Sequence, residues 1–186
     1  MEKEIWKPGT LIYPLPAVLV TCGNGACDNI LTVAWTGTIC TDPAMCYISI
    51  RKERYSYDLI KQSGEFCINL TTKKLAYATD YAGVKSGKNE NKIEKLNLHL
   101  SQGENKYAKI LDESPINIEC VVKEIKELGS HDMFIAEVKC IHVDKKYFDE
   151  KGAFDMEKCG MISYIHGRYY ETGKNIGKFG FSVKKK

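Results

Sequence analysis

No stretch of this sequence approaches the roughly 20 consecutive apolar residues that cross a bilayer as a helix. Its first ten residues, MEKEIWKPGT, carry charge where a secretory leader would have an apolar core. A soluble, cytoplasmic protein with no membrane partner is the expectation. Excess charge of one sign is also scarce. With 27 basic and 24 acidic residues the net charge is +3, too little to mark a nucleic-acid-binding surface. The one strongly basic run is the terminal SVKKK, a solvated tail. Zinc pairs are missing: there is no CxxC and no HExxH, and His99, His131, His142 and His166 are scattered, so no metal is expected. A GxSxG elbow is absent, which argues against a serine hydrolase. A Walker loop is absent too, since Lys85 and Lys88 each meet only one of its two requirements, a glycine before and a Ser or Thr after.

One motif begins and then fails. Gly23 and Gly25 in CGNGACDN follow an apolar run, as in a dinucleotide fingerprint, but the third glycine position is Asp28. The residues that follow, NILTVAW, alternate with period two where that fingerprint needs a helix to hold a pyrophosphate. The segment therefore reads as a hairpin loop, and a Rossmann layout is excluded.

What is present reads as one domain, residues 1–186, with enough apolar content for a sizeable core. The eight cysteines sit mostly in apolar stretches such as FCINL and IECVV, as reduced, buried thiols do. Ala17 to Cys22 is a continuous apolar run, a strand covered on both faces. In the next strand Leu31, Val33 and Trp35 alternate with small residues. Thr32, Ala34, Thr36, Gly37 and Thr38 offer either a tight packing face or a slot where a flat ligand approaches the backbone. Thr41, Asp42 and Pro43 turn the chain into the strand MCYISIR. RYSYDLIKQS then reads as a short amphipathic helix stopped by Gly64, FCINL as a strand, and TKKLAYATDYAG as a helix capped by Thr71 or Thr72. Residues 84–113 turn polar and Lys/Asn-rich, with helical pattern only near Asn91 to Leu96, as in a functional insertion or a flexible surface loop. PINIECVVKEIKEL and DMFIAEVKCIHVD, joined by GSH, are the two arms of a long hairpin. Many strands, few helices and no βα alternation predict a mainly β antiparallel barrel with peripheral helices.

Two basic clusters could bind an anion. Arg51, Lys52, Arg54 and Ser56 fall where a strand gives way to a helix, whose N-terminus presents unpaired N–H groups. Lys85, Ser86, Gly87, Lys88 and Lys92 form the second, in a loop free of bulky side chains. On spacing alone a solvated, charged turn or loop is the favoured reading of each.

Taken in order, NILTVAWTGTICTDP, YISIRKERYSYDLIKQSGEFCINL, YAGVKSGKNENKIEK, ELGSHDMFIAEV and the Tyr/Gly-rich end resemble the flavin reductase-like family with the FMN-binding split barrel, its flavoredoxins especially. The resemblance implies a homodimeric six-stranded split barrel binding one FMN per subunit. It further implies an oxidoreductase that passes electrons from NAD(P)H or a redox protein partner through FMN to an acceptor, or alternatively an electron carrier without nicotinamide activity. By the same resemblance the cofactor is touched by Asn29, Trp35, Ser56, Lys92, His131 and Tyr164. Arg51 and Ser86 are implied phosphate or ribityl contacts, and Thr36 and Gly37 backbone contacts to the ring. No protein acid or nucleophile is required, because the flavin carries the redox chemistry. His131, with an ordinary pKa near 6.5, would hydrogen-bond the flavin.

Overall fold

A computed structural model of the chain describes residues 1–183; the basic run at 184–186, read above as a solvated tail, lies outside the described residues. The strands are β1 (Leu15–Pro16), β2 (Val18–Gly23), β3 (Asp28–Val33), β4 (Thr36–Thr41), β5 (Ala44–Ile50), β6 (Glu65–Asn69), β7 (Leu100–Ser101), β8 (Ile110–Leu111), β9 (Ile116–Glu127), β10 (Asp132–Val143), β11 (Ile162–Ile165) and β12 (Arg168–Glu171). The helices are α1 (Tyr55–Ser63), α2 (Ala76–Val84) and α3 (Lys92–Lys95).

Seven strands form the principal antiparallel sheet in the order β3-β2-β6-β9-β10-β5-β4. Its two outermost strands are consecutive in the sequence. The single strand expected through Leu31 and Trp35 is broken at Ala34 and Trp35: Thr36 N–H turns back onto the Ala34 carbonyl at 3.1 Å, and Ser49 N–H donates to the Trp35 carbonyl at 2.8 Å. One chain segment therefore supplies both edges and brings them together, which makes the sheet a barrel split along that line. Counted as one bent strand, β3 and β4 give the six strands expected; counted as hydrogen-bonded segments they give seven.

The barrel interior holds Val18, Val20, Leu31, Val33, Ile48, Ile50, Phe66 and Phe134. Every residue of β2 is buried, because the opposite face of β2 and β3 is also covered: Leu19 and Ile30 pack under α2 with Leu75, Ala78, Ala82 and Leu111. The polar 84–113 segment is thus part of the fold. Ile93, Leu96, Leu98 and Leu100 lean on this second cluster, and Asn91 caps α3 by accepting from Ile93 and Glu94 N–H. Gly64 ends α1 in the left-handed region, its N–H on the Ile60 carbonyl at 2.8 Å. The threonine pair departs from expectation. A 3-10 turn, Lys73–Leu75, precedes α2; Thr72 stands at its cap position without a side-chain hydrogen bond, the cap of α2 itself is Leu75, and the Thr71 hydroxyl is drawn away to the Ala17 carbonyl.

The two 12-residue strands β9 and β10 pair along their whole length, with irregularities at Ile135/Ala136 and Val138/Cys140. Five of the eight cysteines are buried, as expected of thiols acting as small hydrophobes. β1, β11 and β12 form a separate three-stranded sheet, which brings the C-terminal tyrosines back beside the barrel. No helix among the described residues is long and apolar enough to cross a membrane.

Candidate functional site

Two cavities meet at Leu31, Arg51 and Arg54. The smaller, about 400 Å³, is lined by Asn29, Arg51, Glu53, Arg54, Tyr55, Ser56, Lys85, Ser86, Gly87 and Lys92 among others. The larger, about 890 Å³, includes Thr32, Ala34, Trp35, Tyr47, Ser49, Asp80, His131, Tyr164 and Tyr169.

Four cations against one carboxylate make the smaller cavity electropositive. α1 opens into it: Arg54 occupies the cap position, no side chain caps the first turn, and Tyr55 and Ser56 line the wall. First-turn N–H groups are therefore left for an anion. Asn29 Nδ2 donates to Ser56 Oγ at 2.6 Å, tying the start of β3 to the start of α1. Gly87 is required there, since a Cβ on it would sit 2.8 Å from both Asn29 Cγ and Tyr55 Cδ1.

The C-terminal end of α2 orients two of the cations. Arg54 donates to the Gly83 carbonyl at 2.9 Å. Lys92 donates to the carbonyls of Ala82 at 3.1 Å and Lys85 at 3.2 Å, as expected for cations at the negative end of a helix. A lysine ammonium has three N–H groups and an arginine five, so both retain donors for a ligand. Lys92 is 2% exposed. Burial first, and the nearby Arg54 charge second, pull its pKa down to about 8.

The larger cavity is aromatic. Trp35 and His131 stack with centroids 5.7 Å apart and planes 23° from parallel, and Tyr164 lies 5.5 Å from Tyr169. The His131 pKa is not ordinary: burial and the Arg51 charge lower it, which favours a neutral ring at neutral pH. His131 rides on the β9–β10 turn, anchored next door by Asp132. That fully buried side chain accepts from the Tyr57 hydroxyl at 2.7 Å and from Leu128 N–H at 3.2 Å, and pairs with Lys52 at 3.3 Å.

Eight of the ten residues anticipated from sequence line these joined cavities: Asn29, Arg51, Ser56, Ser86 and Lys92 the smaller, with Trp35, His131 and Tyr164 the larger and Arg51 shared. Thr36 and Gly37 line neither. Beyond the break at Ala34 the chain changes facing: Thr36 is buried with its hydroxyl on the Tyr47 carbonyl at 2.7 Å, and a Cβ on Gly37 would lie 3.2 Å from the Tyr47 ring. Of the basic clusters, Arg54 and Lys85 join the site, whereas Lys52 turns to Asp132 and Glu127. Tyr47 and Ser49 were missed. Their signal was legible, because they alternate on one face of β5 in phase with Arg51 just beyond its end.

The model of the flavin reductase like domain matches residues 10–173. A curated protein of Archaeoglobus fulgidus is 34% identical over 177 residues, 95% of this chain and 94% of its own. Among solved structures, the flavoredoxin of Desulfovibrio vulgaris (Miyazaki F) superposes with a TM-score of 0.90 at 31% identity, covering 98% of this chain and all of that one. A flavoredoxin from Methanosarcina acetivorans also reaches 0.90, at 25% identity over 99% of this chain and all of its own.

Proposed function

The chain belongs to the family of flavin reductase like domains, and from that premise we propose that it is an FMN-binding oxidoreductase fed by NAD(P)H or by a protein donor. One observation carries the reading. A cationic cavity with a free helix N-terminus opens directly into a larger one walled by aromatic rings and by small residues, Thr32 and Ala34. That pair of surfaces fits a phosphate joined through a hydroxylated chain to a flat ring system. FMN bound there would supply the redox chemistry.

The protein's share is binding and orientation. Arg51, Arg54, Lys92 and the first turn of α1 hold the phosphate, with Ser56 and Ser86 completing its hydrogen bonds. Asn29, fixed by Ser56, sets the ribityl chain. Trp35 and His131 form one wall of the ring slot, and Tyr164, carried on β11, another. Burial and the Arg51 charge, by lowering the His131 pKa, favour its neutral ring, which has one donor and one acceptor nitrogen with which to orient a ligand ring.

The same reading assigns a homodimer. Trp6, Leu11 and Ile12 at one end of the chain and Ile176, Phe179 and Phe181 at the other are all more than half exposed, apolar surface that a second copy would cover. FMN titration tests the assignment directly. Saturation at one flavin per chain is expected, and absence of saturable binding refutes it. Mixing the flavin-loaded protein anaerobically with NADH or NADPH then tests the donor: bleaching of the flavin is expected, whereas an unchanged spectrum makes the protein a carrier loaded by a protein partner.

A further inference from the structure

Away from both cavities, on the outer face of the long hairpin, three side chains converge that flavin binding does not use. The ligating atoms of Glu119, Cys140 and His142 all lie within 4.8 Å of one another. Glu119 is fully buried, and the other two are partly exposed.

The convergence is produced by a bulge. Phe134, Ala136 and Val138 point into the barrel core, and strict alternation would send Cys140 and His142 the same way. The register shift between Val138 and Cys140 inserts Lys139 as an extra residue, and the facing flips. Val138 lies opposite the core residue Cys120, but Cys140 lies opposite Glu119, whose side chain points outward. Bulges commonly re-aim side chains in this way.

Separations match a tetrahedral centre. With metal–sulfur bonds of about 2.3 Å and metal–nitrogen or metal–oxygen bonds of about 2.0 to 2.2 Å, adjacent sulfur and nitrogen or oxygen ligands stand roughly 3.5 Å apart. Cys140 Sγ is 3.5 Å from Glu119 Oε1 and 3.5 Å from His142 Nε2. The remaining edge, His142 Nε2 to Glu119 Oε1, is a 2.5 Å hydrogen bond that opens by just under 1 Å to admit an ion. The carboxylate is already positioned from behind, accepting from Glu104 N–H at 2.8 Å and from Asn105 N–H. Such support is what holds a ligating carboxylate in place.

We propose that Glu119, Cys140 and His142 bind one borderline-soft divalent cation, zinc by preference, which fastens the 103–105 loop to the β9–β10 hairpin. Binding displaces the thiol proton to solvent and breaks the Nε2–H hydrogen bond to Glu119; the neutral imidazole takes its proton on Nδ1 instead, which frees the Nε2 lone pair for the metal. Three protein ligands leave a fourth position for water.

Cobalt(II) is the probe. Added to metal-free, flavin-free protein, it should give one equivalent of thiolate-to-cobalt charge transfer together with tetrahedral d–d bands, and zinc should bleach both. Cys140→Ser should abolish the charge transfer. His142→Ala, at a partly exposed site that tolerates truncation, should weaken cobalt binding at least about tenfold. Both should leave FMN titration unchanged, so the outcome is independent of the flavin assignment. No charge transfer in the parent at saturating cobalt, or a band that survives Cys140→Ser, overturns the proposal.

Discussion

Lys92 gives the phosphate assignment its sharpest test. Its ammonium is buried against two backbone carbonyls, and its pKa falls from 10.5 to about 8. At 1.36 kcal/mol per pH unit, the flavin-free fold disfavours the charged form by about 3 kcal/mol. The sign follows from proton counting. Between about pH 8 and 10.5 the unfolded chain holds a proton that the fold has shed, so flavin-free protein gains stability as pH rises through that window. A phosphate reverses the preference, because an adjacent dianion keeps the ammonium charged. Affinity for FMN is then level up to about pH 8 and falls above it, since binding must take up a proton. At about pH 9 roughly a tenth of the free protein is protonated at Lys92, and binding is about tenfold weaker than at pH 7. The ligand itself does not add to the slope, a phosphate ester with a second pKa of about 6 being dianionic throughout. Lys92→Met should bind FMN about 10- to 100-fold more weakly at pH 7, the loss of a charge-assisted hydrogen bond of about 1.5 to 3 kcal/mol, and should show no fall towards pH 9. Fluorescence titration of both proteins at the two pH values decides. Equal parental affinity at pH 7 and 9, or a variant that keeps the parental slope, refutes the reasoning.

Arg51→Ala, at a partly exposed position shared by both cavities, should weaken FMN binding about tenfold or more with little change in Tm; an unaltered titration curve counts against its role. Gly87→Ala should push Asn29 off Ser56 and lower FMN affinity about tenfold in the same assay, given the 2.8 Å clashes with Asn29 Cγ and Tyr55 Cδ1; parental affinity would mean that Asn29 does not contact the ligand. Tyr57→Phe removes a hydrogen bond to the buried Asp132 carboxylate. Burial works against that charge, but the Tyr57 hydroxyl, Leu128 N–H and Lys52 outweigh it and hold the pKa below the usual carboxylate range. A depressed carboxylate pKa stabilises the fold above its unfolded value and is lost as pH falls through the folded one. The variant should therefore unfold at a higher pH on acid titration followed by circular dichroism, and coincident curves would show that Tyr57 contributes nothing to holding the charge.

The sequence made the site more legible than the strand facing around it. Asn29, Arg51, Ser56, Ser86 and Lys92 line one cavity, as the family resemblance implied; local residue chemistry alone marked two basic clusters and favoured a solvated turn for each. Thr36 and Gly37 were implied by the resemblance and by the run of small residues around them, yet they line neither cavity, since the chain changes facing at Ala34 and Trp35. The break there answers to closure of the barrel, and no neighbour in sequence signals it. Cys140 and His142 escaped notice for the same reason. Period two assigns them to the core beside Val138, and only pairing against β9 reveals the extra residue that turns them outward. Contacts made across 20 or more residues were likewise invisible: the hydroxyl of Tyr57 on Asp132, or the polar 84–113 segment burying Leu111.

The split in the barrel has a thermodynamic consequence. The residues that join its two edges, Ala34 and Trp35, also line the aromatic cavity, so whatever occupies that cavity bears on the seam from inside. Occupancy and cohesion are then a single linked equilibrium. At a hundredfold excess over its dissociation constant, the ligand would raise the free energy of unfolding by about 2.7 kcal/mol, and amide exchange in the ligand-free protein would be expected to begin at that seam.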